Sequence, residues 1–197
     1  MRCRISYYFS LKYGSLGYLD KDNFSHKHNH ASFLQLVDRK INQSKDIPFI
    51  KHHLENYGGQ FPLWVLTEIF TFGMLSFFFS DLKTDDQKVL SKELFGAAFM
   101  SVSSRIHCCS VLRNICAHYG RMYFRAFPCI PKGIQCKENA KRRLWAQLLC
   151  VKSLHPDKQR WNACVVEKIK GLFARYDGCV ELPAVGFPQE WRNLICD

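Results

Sequence analysis

The sequence predicts an all-α fold, a helical bundle with extended loops, and three observations carry that expectation. Helical spacing of apolar residues dominates the chain; alternating runs bounded by turn residues are scarce; and proline and glycine punctuate the segments as helices require, Pro at the start and Gly past the end. A length of 197 residues, with 47% hydrophobic and 23% charged, excludes a disordered chain. At about 150 residues per domain it predicts a single domain, 1–197, large enough to bury a core.

Taken in order, residues 2–13 read as an aromatic helix stopping before Gly14, and Gly14 to His30 as a polar loop. Residues 31–44 place Phe33, Leu34, Val37 and Ile41 at helical spacing. Pro48 opens a short helix that ends at Tyr57, before Gly58 and Gly59. Pro62 opens a long apolar helix running to about residue 80, and Thr84–Asp85–Asp86 is expected to cap the next, to about Phe95, with acids at its positive end. Residues 98–119 form another long helix, and the loop from Gly120 to Gly133 carries Pro128 and Pro131. Helices over 137–153 and 156–176 follow, and the tail from Leu182 to Asp197 closes over the bundle through Trp191.

Residues 61–80 (FPLWVLTEIFTFGMLSFFFS) are long enough to span a bilayer, but Glu68 near their middle would cost several kcal/mol there. A helix buried on most faces is the expected outcome, and no membrane is expected as a partner. Met1 to Gly14 lacks the uninterrupted apolar core of a secretory signal. The ten cysteines contain no CxxC pair, which points to reduced thiols in a cytoplasmic protein rather than disulfides or a zinc site. The 28 Lys and Arg exceed the 17 Asp and Glu by +11, a balance that favours a polyanionic partner over a neutral metabolite.

The distinctive run is Arg113–Asn114–Ile115–Cys116–Ala117–His118–Tyr119–Gly120–Arg121. At about 100° per residue, Asn114 and His118 lie roughly 40° apart and one turn apart, near a helix end. Such a set suits RNA cleavage without a metal. A ribose 2′-OH attacks its own 3′-phosphate when an imidazole moves the proton and a guanidinium holds the phosphate oxygens. Asn114 is placed to orient the imidazole. One chain supplies one such histidine, and a twofold dimer would supply the second. Taken alone, Arg-x4-His also arises in ordinary helices, where a last-turn histidine suits the helix dipole and Arg or Asn bonds neighbouring backbone.

The run Arg113–Asn114 through His118 resembles the RN-x3-H form of the Arg-x(4–6)-His signature of the HEPN superfamily. Pro62–Leu63–Trp64 through Glu68 and Thr71–Phe72–Gly73 resemble the P-x-W-x3-E-x3-FG block of the Abi family, the AbiD/AbiF-like abortive-infection proteins of bacteria. So do Leu11–Lys12–Tyr13–Gly14 through Leu19 and Gly186–Phe187–Pro188 through Trp191. The resemblance implies a HEPN-like bundle and a toxin-like role in antiviral defence against phage, by RNase or RNA-binding activity, with no cofactor. It implies that Arg113 holds the scissile phosphate, that His118 transfers the proton and that Asn114 orients or polarises. Glu68 matches the acid of the second block, and burial cost favours a supporting role, as a buried carboxylate held by an arginine such as Arg113. The chain starts almost at the LKYG block, so it resembles the C-terminal two-thirds of the family, with the N-terminal part missing.

Around the motif, Arg121, Arg125, Lys132 and Lys137 and the Lys141–Arg142–Arg143 triplet of the next helix, interleaved with Tyr119, Tyr123 and Phe124, fit a groove that tracks phosphates and stacks bases. A solvated helix face is the competing interpretation. His26, His28 and His30 alternate in a loop without companion acids or cysteines, so a polar loop is favoured over a metal site. The Cys108–Cys109 pair is expected to pack rather than to do redox chemistry. The sequence thus predicts a metal-independent endoribonuclease acting as a homodimer, with RNA as substrate and a non-coding RNA or antitoxin as a further partner. The alternative is a non-catalytic RNA-binding module holding a small RNA or a toxin.

Overall fold

A computed structural model describes residues 1–196. They are helical, with no strand among them beyond an isolated antiparallel bridge between Phe24 and Leu82. The described residues divide into two compact units, Met1–Phe99 and the part that begins at Met100.

The first unit contains α1 (Arg2–Tyr13), α2 (His30–Gln43), α3 (Pro48–Asn56), α4 (Leu63–Ile69), α5 (Phe72–Asp81) and α6 (Thr84–Phe95). Gly14, at φ 84°, ends α1 where expected, and the Asn29 side chain caps α2 by accepting from the Ser32 N–H. Ile5, Phe9, Phe61, Leu63, Leu66, Phe70, Phe78 and Phe79 form the core, each 2% exposed or less. Phe9 packs on Phe24 and Phe78 at centroid separations of 5.4 and 5.2 Å, within the range aromatic pairs favour.

The long apolar helix expected over 62–80 is instead two helices, broken at Phe70 and Thr71. Thr71 accepts from the Met74 N–H and so begins a new helix, while Phe70 turns extended and buries its ring. The carbonyls left over at the end of α4 are not stranded. The Arg2 guanidinium donates to the Glu68 and Phe70 oxygens at 3.3 and 2.7 Å, so a residue 66 positions away supplies what a continuous helix would have. No helix of the described residues is long and apolar enough to cross a membrane.

A buried polar cluster joins α1 to α6. Asp86, in the first turn of α6, is fully buried and accepts from Lys12 Nζ, from the Tyr8 hydroxyl at 2.8 Å and from the Tyr13 hydroxyl at 2.7 Å. Burial alone would raise its carboxyl, but the bonds from Lys12, Tyr13 and Tyr8 hold it below the ordinary value. In the same cluster burial, and then the Asp86 hydrogen bond, push the Tyr8 hydroxyl up to about 12.

The second unit contains nearly all of α7 (Phe99–Ala117), then α8 (Leu144–Leu154), α9 (Lys158–Arg160), a π-helical stretch Trp161–Val166, α10 (Glu167–Arg175), α11 (Leu182–Val185) and α12 (Trp191–Ile195). Its core gathers Trp145, Trp161, Val166, Phe187, Trp191 and Ile195. The Trp161 indole N–H donates to the Ile195 carbonyl at 2.9 Å. The tail is thereby tied into this unit through Trp191 and Ile195, which are buried, and Trp191 stacks near Phe173 at 4.9 Å.

The helix expected over 137–153 begins late. Glu138–Ala140 is a single 3-10 turn, and Lys141, Arg142 and Arg143 lie in the turn ahead of α8 rather than on it. Two long-range bonds explain the delay. Arg143 Nη1 donates to the Phe124 carbonyl, and the Phe127 N–H donates to the Arg142 carbonyl at 2.8 Å. Gly186 lets this turn approach, because a Cβ there would lie 2.4 Å from Cβ of Arg143.

Candidate functional site

The residues singled out by the sequence motif lie at the C-terminal end of α7. Its inner face is held by Val102, Ile106, Cys108, Ser110 and Leu112, all buried. Arg113, Asn114, Cys116, Ala117, His118 and Tyr119 are exposed, so the last turn of the helix projects its side chains into solvent.

The way this helix ends differs from the expectation of a helix to Tyr119 stopped by Gly120. Helical hydrogen bonding finishes with the His118 N–H on the Asn114 carbonyl at 3.1 Å. The Tyr119 N–H then bonds the Cys116 carbonyl at 3.1 Å, and the Gly120 N–H bonds the Ile115 carbonyl at 2.8 Å. This is a Schellman turn with His118 as its C-cap. The left-handed residue such a turn needs is Tyr119, at φ 53°, a place usually taken by glycine. Glycine is required one step later, since a Cβ on residue 120 would lie 2.7 Å from Cγ2 of Ile115 and 3.0 Å from its carbonyl oxygen. Tyr119 therefore adopts the strained conformation and stands 98% exposed beside His118. No local signal in the sequence marks this.

Arg113 Nη1 donates to the Asn114 side-chain oxygen at 3.1 Å. The Asn114 oxygen thus faces Arg113, and no bond joins Asn114 to the His118 imidazole among the described residues. The imidazole itself has no hydrogen-bond partner among the described residues.

Basic residues gather on the loop that follows. Arg121 is exposed, and Arg125 Nε donates back to its carbonyl at 2.7 Å. That bond folds the Arg125 guanidinium against Gly120, where Nη2 would sit 3.5 Å from a Cβ at residue 120. The Arg142 and Arg143 bonds to Phe127 and Phe124 bring the triplet to the same loop. Lys141 is committed to Glu138 at 2.6 Å, and Arg142 is exposed. Of the interleaved aromatics, Tyr119 and Phe124 are open, at 98% and 58%, while Tyr123 is partly buried and its hydroxyl accepts from the Glu181 N–H at 3.1 Å.

Glu68 is not the buried carboxylate that the cost argument called for. It is exposed on α4, on the rim of a groove lined by Arg4, Tyr7, Leu11 and Trp64. The physical reason is its place on the helix, one turn from Trp64 on the face opposite the core. A seven-residue α4 buries Leu63, Leu66, Thr67 and Ile69 and turns Trp64 and Glu68 outward. His28 lies over Phe24 with centroids 4.0 Å apart, and its ring nitrogens reach Asp81 at 2.9 Å and His30 at 3.2 Å. His30 in turn contacts the Leu19 carbonyl at 3.0 Å, so both rings serve local hydrogen bonding, while His26 is exposed. All ten cysteines are free thiols.

The sequence model of the Abi-like protein family matches residues 1–124. The chain belongs to the Abi-like family. The matched part holds the LKYG block, the P-x-W block with Glu68, and the whole Arg113–His118 run, and it ends at Phe124 on the basic loop. The Gly186–Trp191 block lies beyond the match, in the tail of this Abi-like protein. No curated protein and no solved structure matches the chain. Membership suggests a role in abortive infection.

Proposed function

We propose that the end of α7 is the active centre of a metal-independent endoribonuclease of anti-phage abortive infection, acting in the cytoplasm on a HEPN-type bundle. One observation carries this reading: Arg113, Asn114 and His118 stand exposed together on one helix end, with no bond to the His118 imidazole among the described residues. A histidine retained for packing would be buried or bonded, and a proton-transfer group must reach its substrate.

In this mechanism the Arg113 guanidinium, steadied by Asn114, binds a phosphodiester oxygen and stabilises the charge that builds as the adjacent 2′-OH attacks. His118 takes the hydroxyl proton or protonates the departing 5′-oxygen. The products are a 2′,3′-cyclic phosphate and a 5′-OH. A twofold homodimer brings a second His118, so that one imidazole serves as base and the other as acid. Arg121, Arg125 and Arg142 hold flanking phosphates, and Tyr119 offers an open face for a base to stack on. A regulatory non-coding RNA or antitoxin would restrain the enzyme by covering the same face. Glu68, exposed on α4, takes no part in the proton transfer.

Purified chain incubated with RNA in excess chelator tests the reading. Cleavage is expected to persist, to yield cyclic phosphate ends, and to disappear in His118→Ala while RNA affinity stays within about twofold. Cleavage abolished by chelator would overturn the mechanism. Affinity and cell toxicity both unchanged in His118→Ala would leave the RNA-binding module in its place.

A further inference from the structure

The tightest cluster of reactive side chains that the proposed chemistry leaves unused is sulfur. Cys108 and Cys109 are consecutive on α7, and a step of about 100° sends their thiols to different neighbours. Cys108 is buried and interacts with Cys129 of the following loop. Cys109 is partly exposed, and its Sγ lies 3.8 Å from Sγ of Cys150 on α8. Cys150 is fully buried, and its thiol also approaches the Arg105 carbonyl at 3.4 Å.

The two members of the second couple are unequal in the way a thiol switch requires. The hydrogen bond between the two sulfurs holds the Cys109 thiol below the ordinary range, against the raising effect of its burial. The same bond, and then burial, push Cys150 up. Cys109 is therefore both the accessible sulfur and the one closer to thiolate, whereas Cys150 waits behind it, shielded from solvent.

We propose that Cys109 and Cys150 are a peroxide-responsive thiol pair that closes into a reversible disulfide between α7 and α8. The Cys109 thiolate attacks a hydroperoxide oxygen; the S–O bond forms, the O–O bond breaks, and the released hydroxide takes a proton to become water. The Cys150 sulfur then attacks Cys109; the S–S bond forms, the S–O bond breaks, and the Cys150 proton leaves with the oxygen as a second water. Two thiols lose two electrons and one hydrogen peroxide becomes two waters, and an external dithiol reverses the step. The bridge sits one turn before Arg113, so oxidation ties the helix that carries the motif to its neighbour. The assignment does not depend on the cleavage proposed above.

The test uses the full chain with the exposed Cys3, Cys116, Cys164 and Cys179 changed to serine, which removes links between molecules. Reduced protein is treated with hydrogen peroxide, alkylated, digested with trypsin and mapped unreduced by mass spectrometry. Peptide 106–113 (IHCCSVLR) is expected to join peptide 144–152 (LWAQLLCVK), and dithiothreitol should separate them. The link should persist in Cys108→Ser and vanish in Cys109→Ser, a change at a partly exposed position whose fold is checked by circular dichroism. Absence of the link, its survival in Cys109→Ser, or capture of peptide 126–132 (AFPCIPK) in its place would overturn the proposal.

Discussion

In the Met1–Phe99 unit the Asp86 carboxylate is fully buried and takes three donors, from Lys12, Tyr8 and Tyr13. In the other unit Arg113, Asn114 and His118 are exposed and share a single link, from the guanidinium to the carboxamide. Both sets are dense in charge, yet the chain treats them in opposite ways. A charge withdrawn from water must have its hydrogen-bonding capacity filled from within, so the Asp86 cluster has nothing left to offer a ligand. A charge left in water keeps that capacity for something that arrives from outside. Saturation, more than residue type, separates a group that holds the fold from one that can act.

Substitutions that exchange these roles test the comparison. The largest effect is expected at the open end: Arg113→Ala or His118→Ala should reduce RNA cleavage by roughly 100-fold or more, and neither should move the urea midpoint. A cleavage assay and an unfolding curve on the same variant check both halves. Next comes the closed cluster, where Asp86→Ala should destabilise by about 3 kcal/mol, read as a drop in the urea midpoint. Its pH dependence follows in sign. The folded Asp86 carboxyl titrates below its ordinary value of 3.8, so the stabilisation is fully present above that value and is lost as pH falls through the folded value. The difference in midpoint between wild type and Asp86→Asn should therefore shrink on acidification, and a constant difference would contradict the cluster's ionic character.

A smaller effect is expected at Arg142, exposed on the basic loop. Arg142→Glu should weaken RNA binding by about tenfold and lower the salt slope by about one, as fluorescence anisotropy at several salt concentrations would show. Lys141, already paired with Glu138 at 2.6 Å, should matter less. The smallest effect concerns Tyr119. Tyr119→Gly relieves a left-handed conformation at a side chain that is 98% exposed, and should raise the melting temperature by roughly 2–4 °C. A simultaneous loss of RNA affinity would mark Tyr119 as a stacking platform; unchanged affinity would leave it only a strained turn.

Much of the architecture was legible because its causes are local. Residues 2–13, the helix opened by Pro48 and the span Thr84–Phe95 follow spacing and turn chemistry, although the last is capped at Lys83 with no side-chain bond rather than by Thr84–Asp85–Asp86. What escaped was settled by partners far away in sequence. Nothing within residues 61–80 announces that Arg2 will receive the carbonyls freed at Phe70, so an apolar run long enough for one helix became two. Likewise the basic triplet left its expected helix because Phe124 and Phe127 bind it from the loop after α7. At the candidate site the identity of the residues and their shared helix end were readable from the motif. The pairing of Asn114 with Arg113 and the left-handed Tyr119 were not.

By itself, then, the amino-acid order determined the helical class, most helix ends, the family resemblance and the motif on α7, because each rests on interactions between residues within a turn or two. The tertiary structure alone decided which charges are consumed and which remain open. That outcome depends on burial, and burial belongs to the packed assembly of distant segments. Asp86 and His118 are both polar residues flanked by helix, and only the presence or absence of Lys12, Tyr8 and Tyr13 around one of them makes it silent.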